Sequence, residues 1–174
     1  ASRPAMNIEH LGNKTVQALV EKKMVKDIAG LYELTVQDIT HLEGFAGRSA
    51  QQLHASIQSS KKARLDRFLF ALGIRHVGSH TATVLADNFG SLGALRRASA
   101  RKLKNIHEIG PRIADSVSGF FGEKTNQHVL QHLFDQGVVV ADMPRKKEGS
   151  LTGLTFVFTG QLEKYTRSQA QRKV

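Results

Sequence analysis

Apolar residues recur at helical spacing through most of the chain. The runs Val16/Leu19/Val20, Ala50/Leu53/Ile57, Ala82/Leu85/Ala86 and Ala114/Val117/Phe120–Phe121 each place a stripe on one face of a 3.6-residue helix. Residues 61–72 (KKARLDRFLFAL) add another, with Leu65, Phe68, Leu69 and Leu72 on the buried side of a connecting helix. Thr35 and Ser99 are placed as N-caps, and Thr35 has Asp38 three residues on, as in a loose capping box. Residues 27–32 and 91–95 occupy matching places between successive helices. After residue 142 the pattern changes. Residues 143–150 are polar and rich in turn formers, which reads as a linker. Residues 155–160 (TFVFTG) then read as a strand and residues 166–170 as a helix start, too little for an independent domain.

The four helical stripes open on related segments. His10-Leu11-Gly12-Asn13-Lys14-Thr15-Val16, Gly44-Phe45-Ala46-Gly47-Arg48-Ser49-Ala50, His76-Val77-Gly78-Ser79-His80-Thr81-Ala82 and Glu108-Ile109-Gly110-Pro111-Arg112-Ile113-Ala114 align, with anchors 12, 46, 78 and 110 at spacings of 34, 32 and 32. Each carries an apolar residue, then Gly or Ala, a turn-prone residue, and Lys, Arg or His. The physical reading is helix, tight hairpin, helix. Glycine there permits a positive φ or a close backbone approach, and Pro111 suits the first helical position. A small residue one turn later lets the two helices pack closely. Such a turn aims successive backbone N–H groups outward at a helix start, an anion-binding arrangement to which Lys14, Arg48, His80 and Arg112 add charge. One copy alone reads more simply as an ordinary helical hairpin; four copies at near-constant spacing, three with a formally basic side chain, favour the anion-binding reading. The hairpins group into two pairs, residues 5–60 and 68–137, and are expected to share one all-α body.

Charge sharpens the picture. The 174 residues carry 25 Lys+Arg against 15 Asp+Glu, a formal net charge of +10. Residues 1–60 balance six basic against six acidic side chains, whereas residues 61–112 hold eleven basic and three acidic ones. An excess confined to one segment is costly without an anionic partner, most simply nucleic acid. Aromatics are only 6% with no Trp, which weighs against single-strand binding on aromatic platforms. No Cys is present, which excludes disulfides, thiolate zinc sites and cysteine nucleophiles within these residues. The longest apolar stretch, residues 68–74, is far shorter than the ~20 residues of a spanning helix. No signal-peptide pattern opens the chain, and a cytoplasmic, nucleoid-associated location is expected.

The four hairpins resemble helix-hairpin-helix DNA-binding motifs. Their order, with MNIEHLGNK at residues 6–14, FLFALGIRHVG at 68–78, NFGSL at 88–92 and EIGPRIADSV at 108–117, closely resembles the helix-hairpin-helix domain of bacterial NAD-dependent DNA ligases. Residues 151–170 (LTGLTFVFTGQLEKYTRSQA) resemble the start of that family's BRCT domain. The resemblance implies tandem helix-hairpin-helix motifs over residues 1–141, a linker at 142–150 and an incomplete α/β BRCT domain at 151–174. It implies a parent enzyme that seals nicks in duplex DNA during replication and repair, using NAD as AMP donor together with Mg2+ and a four-cysteine Zn2+ module. The adenylated lysine and that zinc module match nothing here, so the chain alone is expected to be inactive, with no catalytic, cofactor or metal residue. The family's hairpin domain clamps the minor groove on both sides of a nick. The matching positions are Gly12, Asn13 and Lys14; Gly44, Gly47 and Arg48; Gly78, Ser79 and His80; Gly110, Pro111 and Arg112. The implied partners are nicked double-stranded DNA and the other domains of the same ligase chain, with no membrane, and a monomer is expected.

Two departures stand out. Ala46 replaces a second glycine in hairpin two, and Glu108 replaces a first glycine in hairpin four. Phosphate contacts carry no direct sequence information, so binding should be sequence-independent and salt-dependent, with a log–log slope of roughly −5 for about six phosphates. The competing readings are a stand-alone helix-hairpin-helix accessory module of a nuclease or junction-processing complex and a helical protein-interaction scaffold. His128 and His132 have a zinc-compatible spacing but lack a third ligand, so exposed histidines are the simpler reading. Phe120–Phe121 reads as core rather than a base-stacking wedge, and Thr159-Gly160 as a candidate phosphate contact of the BRCT start.

Overall fold

The computed structural model describes residues 1–144 and the isolated positions Val157 and Thr166. Most of the expected linker, the strand at 155–160, the Thr159-Gly160 contact and the BRCT start therefore lie outside the described residues.

The elements run α1 (Asn13–Glu21), a short 3-10 turn (Gly30–Tyr32), α2 (Val36–Thr40), α3 (Gly47–Ser59), β1 (Lys62–Arg64), α4 (Leu65–Ala71), α5 (Ser79–Phe89), α6 (Leu92–Arg96), α7 (Ala100–Lys104), α8 (Pro111–Gly122), α9 (Lys124–Asp135) and β2 (Val139–Ala141). The fold is mainly helical, with tandem hairpins. Hairpin two joins α2 to α3, hairpin three joins α4 to α5, and hairpin four joins α7 to α8.

The helix starts follow from local side-chain chemistry. Thr35 Oγ1 accepts from the Asp38 N–H at 3.1 Å, and Asp38 Oδ2 accepts from the Thr35 N–H at 2.8 Å, which completes the capping box. Ser91 and Ser99 cap α6 and α7 in the same way, through the N–H groups of Ala94 and Lys102. Asp27 Oδ1 accepts from the N–H groups of Ala29 and Gly30 and so tightens the 3-10 turn. At the end of α1, Lys23 is left-handed, and the Lys23 and Met24 N–H groups donate to Val20 O and Leu19 O, a Schellman closure.

Two expectations are corrected. Residues 61–72 are not one helix: Lys62–Arg64 is extended and pairs in parallel with Val139–Ala141, Lys62 opposite Val139. Long-range pairing, with the Val139 N–H on Lys61 O at 2.7 Å, overrides the helical propensity of these lysines and arginines. The body keeps the expected all-α architecture, to which this pairing adds a two-stranded parallel sheet. Hairpin one also lacks a first helix. Residues 3–6 form a turn in which the Ala5 and Asn7 N–H groups share Ser2 O, and left-handed Asn7 stops further helical winding. With no partner helix there, Val16 is 37% exposed, while Ala50, Ala82 and Ala114 at the equivalent positions are fully buried.

One core runs through both pairs, from Ile8 to Val138, including Leu19, Leu53, Ile57, Leu65, Leu69, Leu85, Leu103, Val117 and Leu130. Phe68 at the junction between pairs is buried and stacks on Phe134, with centroids 6.3 Å apart. Tyr32 Oη and Ser60 Oγ lie 3.0 Å apart inside the first pair, and Ser60 Oγ donates to Ile57 O. The packed body continues to Met143, whose N–H donates to Gly90 O at the left-handed C-cap of α5. No helix among the described residues is long and apolar enough to cross a membrane.

Candidate nucleic-acid interface

The four hairpins share one backbone design. The residue before each long helix is extended: Gly12, Ala46, Gly78 and Gly110 have ψ between 171° and 180° in magnitude and act as N-caps. Its carbonyl accepts the first helical bond, from Val16, Ala50, Ala82 or Ala114, at 2.9–3.0 Å in each case. The apolar residue just before it anchors the turn, as Leu11, Val77 and Ile109 are buried and Phe45 packs against the core.

The left-handed residue is not the glycine expected. It lies two positions earlier, at His10 (φ +65°), Gly44 (+81°), His76 (+66°) and Glu108 (+70°). Gly44 alone of these adopts that conformation without a Cβ penalty. Gly12, Gly78 and Gly110 have negative φ, and among the described residues a Cβ built on any of them meets no atom within 4 Å beyond its chain neighbours. Ala46 occupies the same position in hairpin two, so folding does not require glycine there. The missing side chain instead leaves the surface above the first helical N–H groups open to close approach by an anion.

Hairpin two differs in its polar bonding. The Ala46 N–H donates to Ser49 Oγ at 2.9 Å, and Ser49 Oγ donates to Ala46 O at 2.9 Å, so an internal hydroxyl occupies one amide of the turn. The N-caps of α1, α5 and α8 make no side-chain cap bond. All twelve sequence-chosen residues are exposed: Gly12, Asn13, Lys14, Gly44, Gly47, Arg48, Gly78, Ser79, His80, Gly110, Pro111 and Arg112. Among the described residues, Lys14, Arg48 and Arg112 form no ion pair with a carboxylate. Lys104 in α7, by contrast, pairs with Asp115 of α8 at 3.0 Å and so ties the arms of hairpin four.

Hairpins three and four meet face to face. His76 lines an open groove with Gly110, Pro111, Arg112 and Ile113. On the other side His80 Nε2 bonds to Glu108 Oε2, and His107 Nδ1 lies 3.6 Å from Glu108 Oε1. The hydrogen bond from His80, with smaller charge contributions from His80 and His107, holds the Glu108 carboxyl below its usual range. Sequence reasoning noted Glu108 in place of a first glycine and read His76 and His80 as facing outward, but missed the left-handed backbone at His76 and Glu108 and the contact of Glu108 with His80. The available signal was their alignment with Gly44 at the first position of the repeat.

His128 is exposed, and His132 bonds to Glu33; no group of three His, Asp or Glu side chains among the described residues is arranged to hold a metal. Phe121 is buried, with Phe120 packed edge-on at 5.3 Å, which is a core arrangement.

Comparison with known proteins agrees with this geometry. A helix-hairpin-helix motif model matches residues 67–130, and a SAM-like helix-hairpin-helix tandem model matches residues 2–59. Bacterial proteins named DNA ligase align along essentially the whole chain: that of Syntrophotalea carbinolica is 46% identical over 99% of the chain and 26% of its own length. Those of Trichlorobacter lovleyi and Salinibacter ruber are 45% and 44% identical over 100% of the chain. The chain spans about a quarter of the length of these relatives. Four hairpins of one design, matched in two separate stretches by helix-hairpin-helix models and aligned throughout with a quarter-length region of ligase sequences, make the chain similar to a tandem helix-hairpin-helix region of bacterial DNA ligases.

Proposed function

We propose that the chain binds duplex DNA through its phosphate backbone, across the minor groove, and holds a nicked substrate for a ligase whose chemistry resides elsewhere. The observation that carries this reading is the open space above Gly12, Gly78 and Gly110. Three helix starts lack a side-chain cap, and among the described residues, adjacent ones aside, no atom lies within 4 Å of where a glycine Cβ would stand. Backbone N–H groups at such starts, with Lys14 and Arg112 beside them, suit anionic oxygens on adjacent strands. Hairpin two, with Ser49 already on its Ala46 amide, contributes least. The relatives named DNA ligase supply the reaction class. NAD and Mg2+ as cofactors of the parent enzyme, and its Zn2+ module, belong to this proposal too. The chain has no Cys and the described residues gather no metal ligand set, so no residue here is assigned to them.

Fluorescence anisotropy with nicked duplex, intact duplex and single strand across a salt series tests the reading, repeated with Gly78→Glu/Gly110→Glu. Duplex binding that weakens steeply with salt and is lost in a double variant that still folds supports the clamp. Binding that survives both substitutions assigns the affinity to surface charge instead, and no duplex binding at moderate salt favours a protein-interaction scaffold.

A further inference from the structure

Hairpins three and four approach each other reciprocally. His76, the left-handed residue of hairpin three, faces the helix start of hairpin four across the groove lined by Gly110, Pro111 and Arg112. Glu108, the left-handed residue of hairpin four, reaches the helix start of hairpin three and bonds to His80. His80 and Arg112 hold the same position in their repeats. The two contacts are therefore equivalent in place but opposite in charge. One surrounds open space with an imidazole and a guanidinium; the other sets a carboxylate on an imidazole.

We propose that Glu108 is an internal anion, standing on His80 where a backbone phosphate would otherwise bind, and that it thereby limits the affinity of hairpin three for DNA. The inference rests on the DNA-binding reading above. Backbone geometry gives no reason for glutamate at this position, since φ is +70° and the equivalent Gly44 meets the same conformation without strain. Burial gives none either, because the side chain of Glu108 is 48% exposed and that of His80 77% exposed. What the residue supplies is a carboxylate on a surface that otherwise presents cations and amide N–H groups. Two imidazoles, those of His80 and His107, are turned to it. A carboxylate among groups that would receive phosphates both repels the strand and competes for the imidazole N–H. For a protein that must release its DNA after each sealing event, such a limit on affinity favours turnover.

The test separates this role from that of a simple tie between hairpins. Kd for nicked duplex is measured across a salt series for the unmodified chain, Glu108→Gln, Glu108→Gly, His80→Gln and the double variant His80→Gln/Glu108→Gln. The internal-anion role predicts that Glu108→Gln tightens binding by about 3–10-fold near ~0.1 M salt and steepens the log–log slope by up to about one unit. Adding His80→Gln should remove that gain. Glu108→Gly should match Glu108→Gln in affinity and, by relieving the left-handed backbone, also raise the thermal midpoint. A tie that merely positions the hairpins predicts the reverse, weaker binding in both Glu108 variants. Weaker or unchanged binding by a folded Glu108→Gln overturns the inference while leaving DNA binding intact. An unmodified chain with no duplex affinity overturns the DNA-binding reading and this inference together.

Discussion

His132 Nε2 lies 2.8 Å from Glu33 Oε1, across 99 positions of sequence, and ties the last long helix to the first hairpin pair. Gln136 Nε2 donates to the same carboxylate oxygen at 3.2 Å, and Asp27 lies 3.8 Å from the other ring nitrogen. The polar cluster sits on the surface of the seam that Phe68 and Phe134 close from within. The mutual orientation of the two pairs therefore rests on an apolar joint with a titratable group at its rim.

The hydrogen bond to Glu33, with smaller contributions from Glu33 and Asp27 charge, raises the His132 pKa above its usual 6.5. A raised folded-state pKa gives stability that is fully present below the unfolded value and lost as pH rises through the folded one. Thermal midpoints should accordingly fall between about pH 6 and pH 8 more steeply for the unmodified chain than for His132→Gln. Parallel profiles for the two proteins would rule the contribution out.

Gly78→Ala and Gly110→Ala should separate folding from binding. Each added methyl meets no atom of the described residues beyond its chain neighbours and the backbone is extended, so stability should change by less than about 1 kcal/mol. Duplex affinity should nevertheless drop, because the methyl stands where a phosphate would approach. Denaturant midpoints and anisotropy titrations on the same samples check both halves, and unchanged affinity would remove the close-approach argument.

Phe68→Ala should destabilise the chain by about 3–5 kcal/mol, the usual cost of emptying an aromatic core site. Phe68 is 2% exposed and packs where both hairpin pairs share the core, so one cooperative transition should shift as a unit. Two separate transitions in urea would show that the pairs unfold independently.

Thr35→Ala should cost about 1 kcal/mol through loss of the α2 cap. The side-chain and backbone hydrogen bonds from Thr35 hold the Asp38 carboxyl below its usual range, so the cap's contribution is present above the unfolded carboxylate value and lost as pH falls through the folded one. The gap in midpoint between Thr35→Ala and the unmodified chain should thus narrow in acid; a gap independent of pH would count against the carboxylate's part.

Much of the architecture is legible residue by residue. The caps at Thr35 and Ser99, the stripes Ala50/Leu53/Ile57 and Ala82/Leu85/Ala86, and the repeat anchors at Gly12, Gly78 and Gly110 are short-range features, and the structure places them as the pattern requires. The errors fall where a distant partner decides. Lys62–Arg64 reads as helix until Val139–Ala141 offers a ladder, and Val16 reads as core until the missing first arm of hairpin one leaves it uncovered.

The four-fold repeat, its spacing, the grouping into pairs and the excess of positive charge over residues 61–112 can be read along the chain, because caps, helical periodicity and charge are properties of sequence neighbours. That the left-handed turn residues are His10, Gly44, His76 and Glu108, and that Glu108 stands on His80 while His76 faces Arg112, follows from contacts between segments distant in sequence. Non-glycine residues hold that conformation only when packing around them compensates its local cost, as the buried Leu11, Val77 and Ile109 beside them do here. The face that hairpins three and four present together is thus a product of their packing, which no single repeat contains.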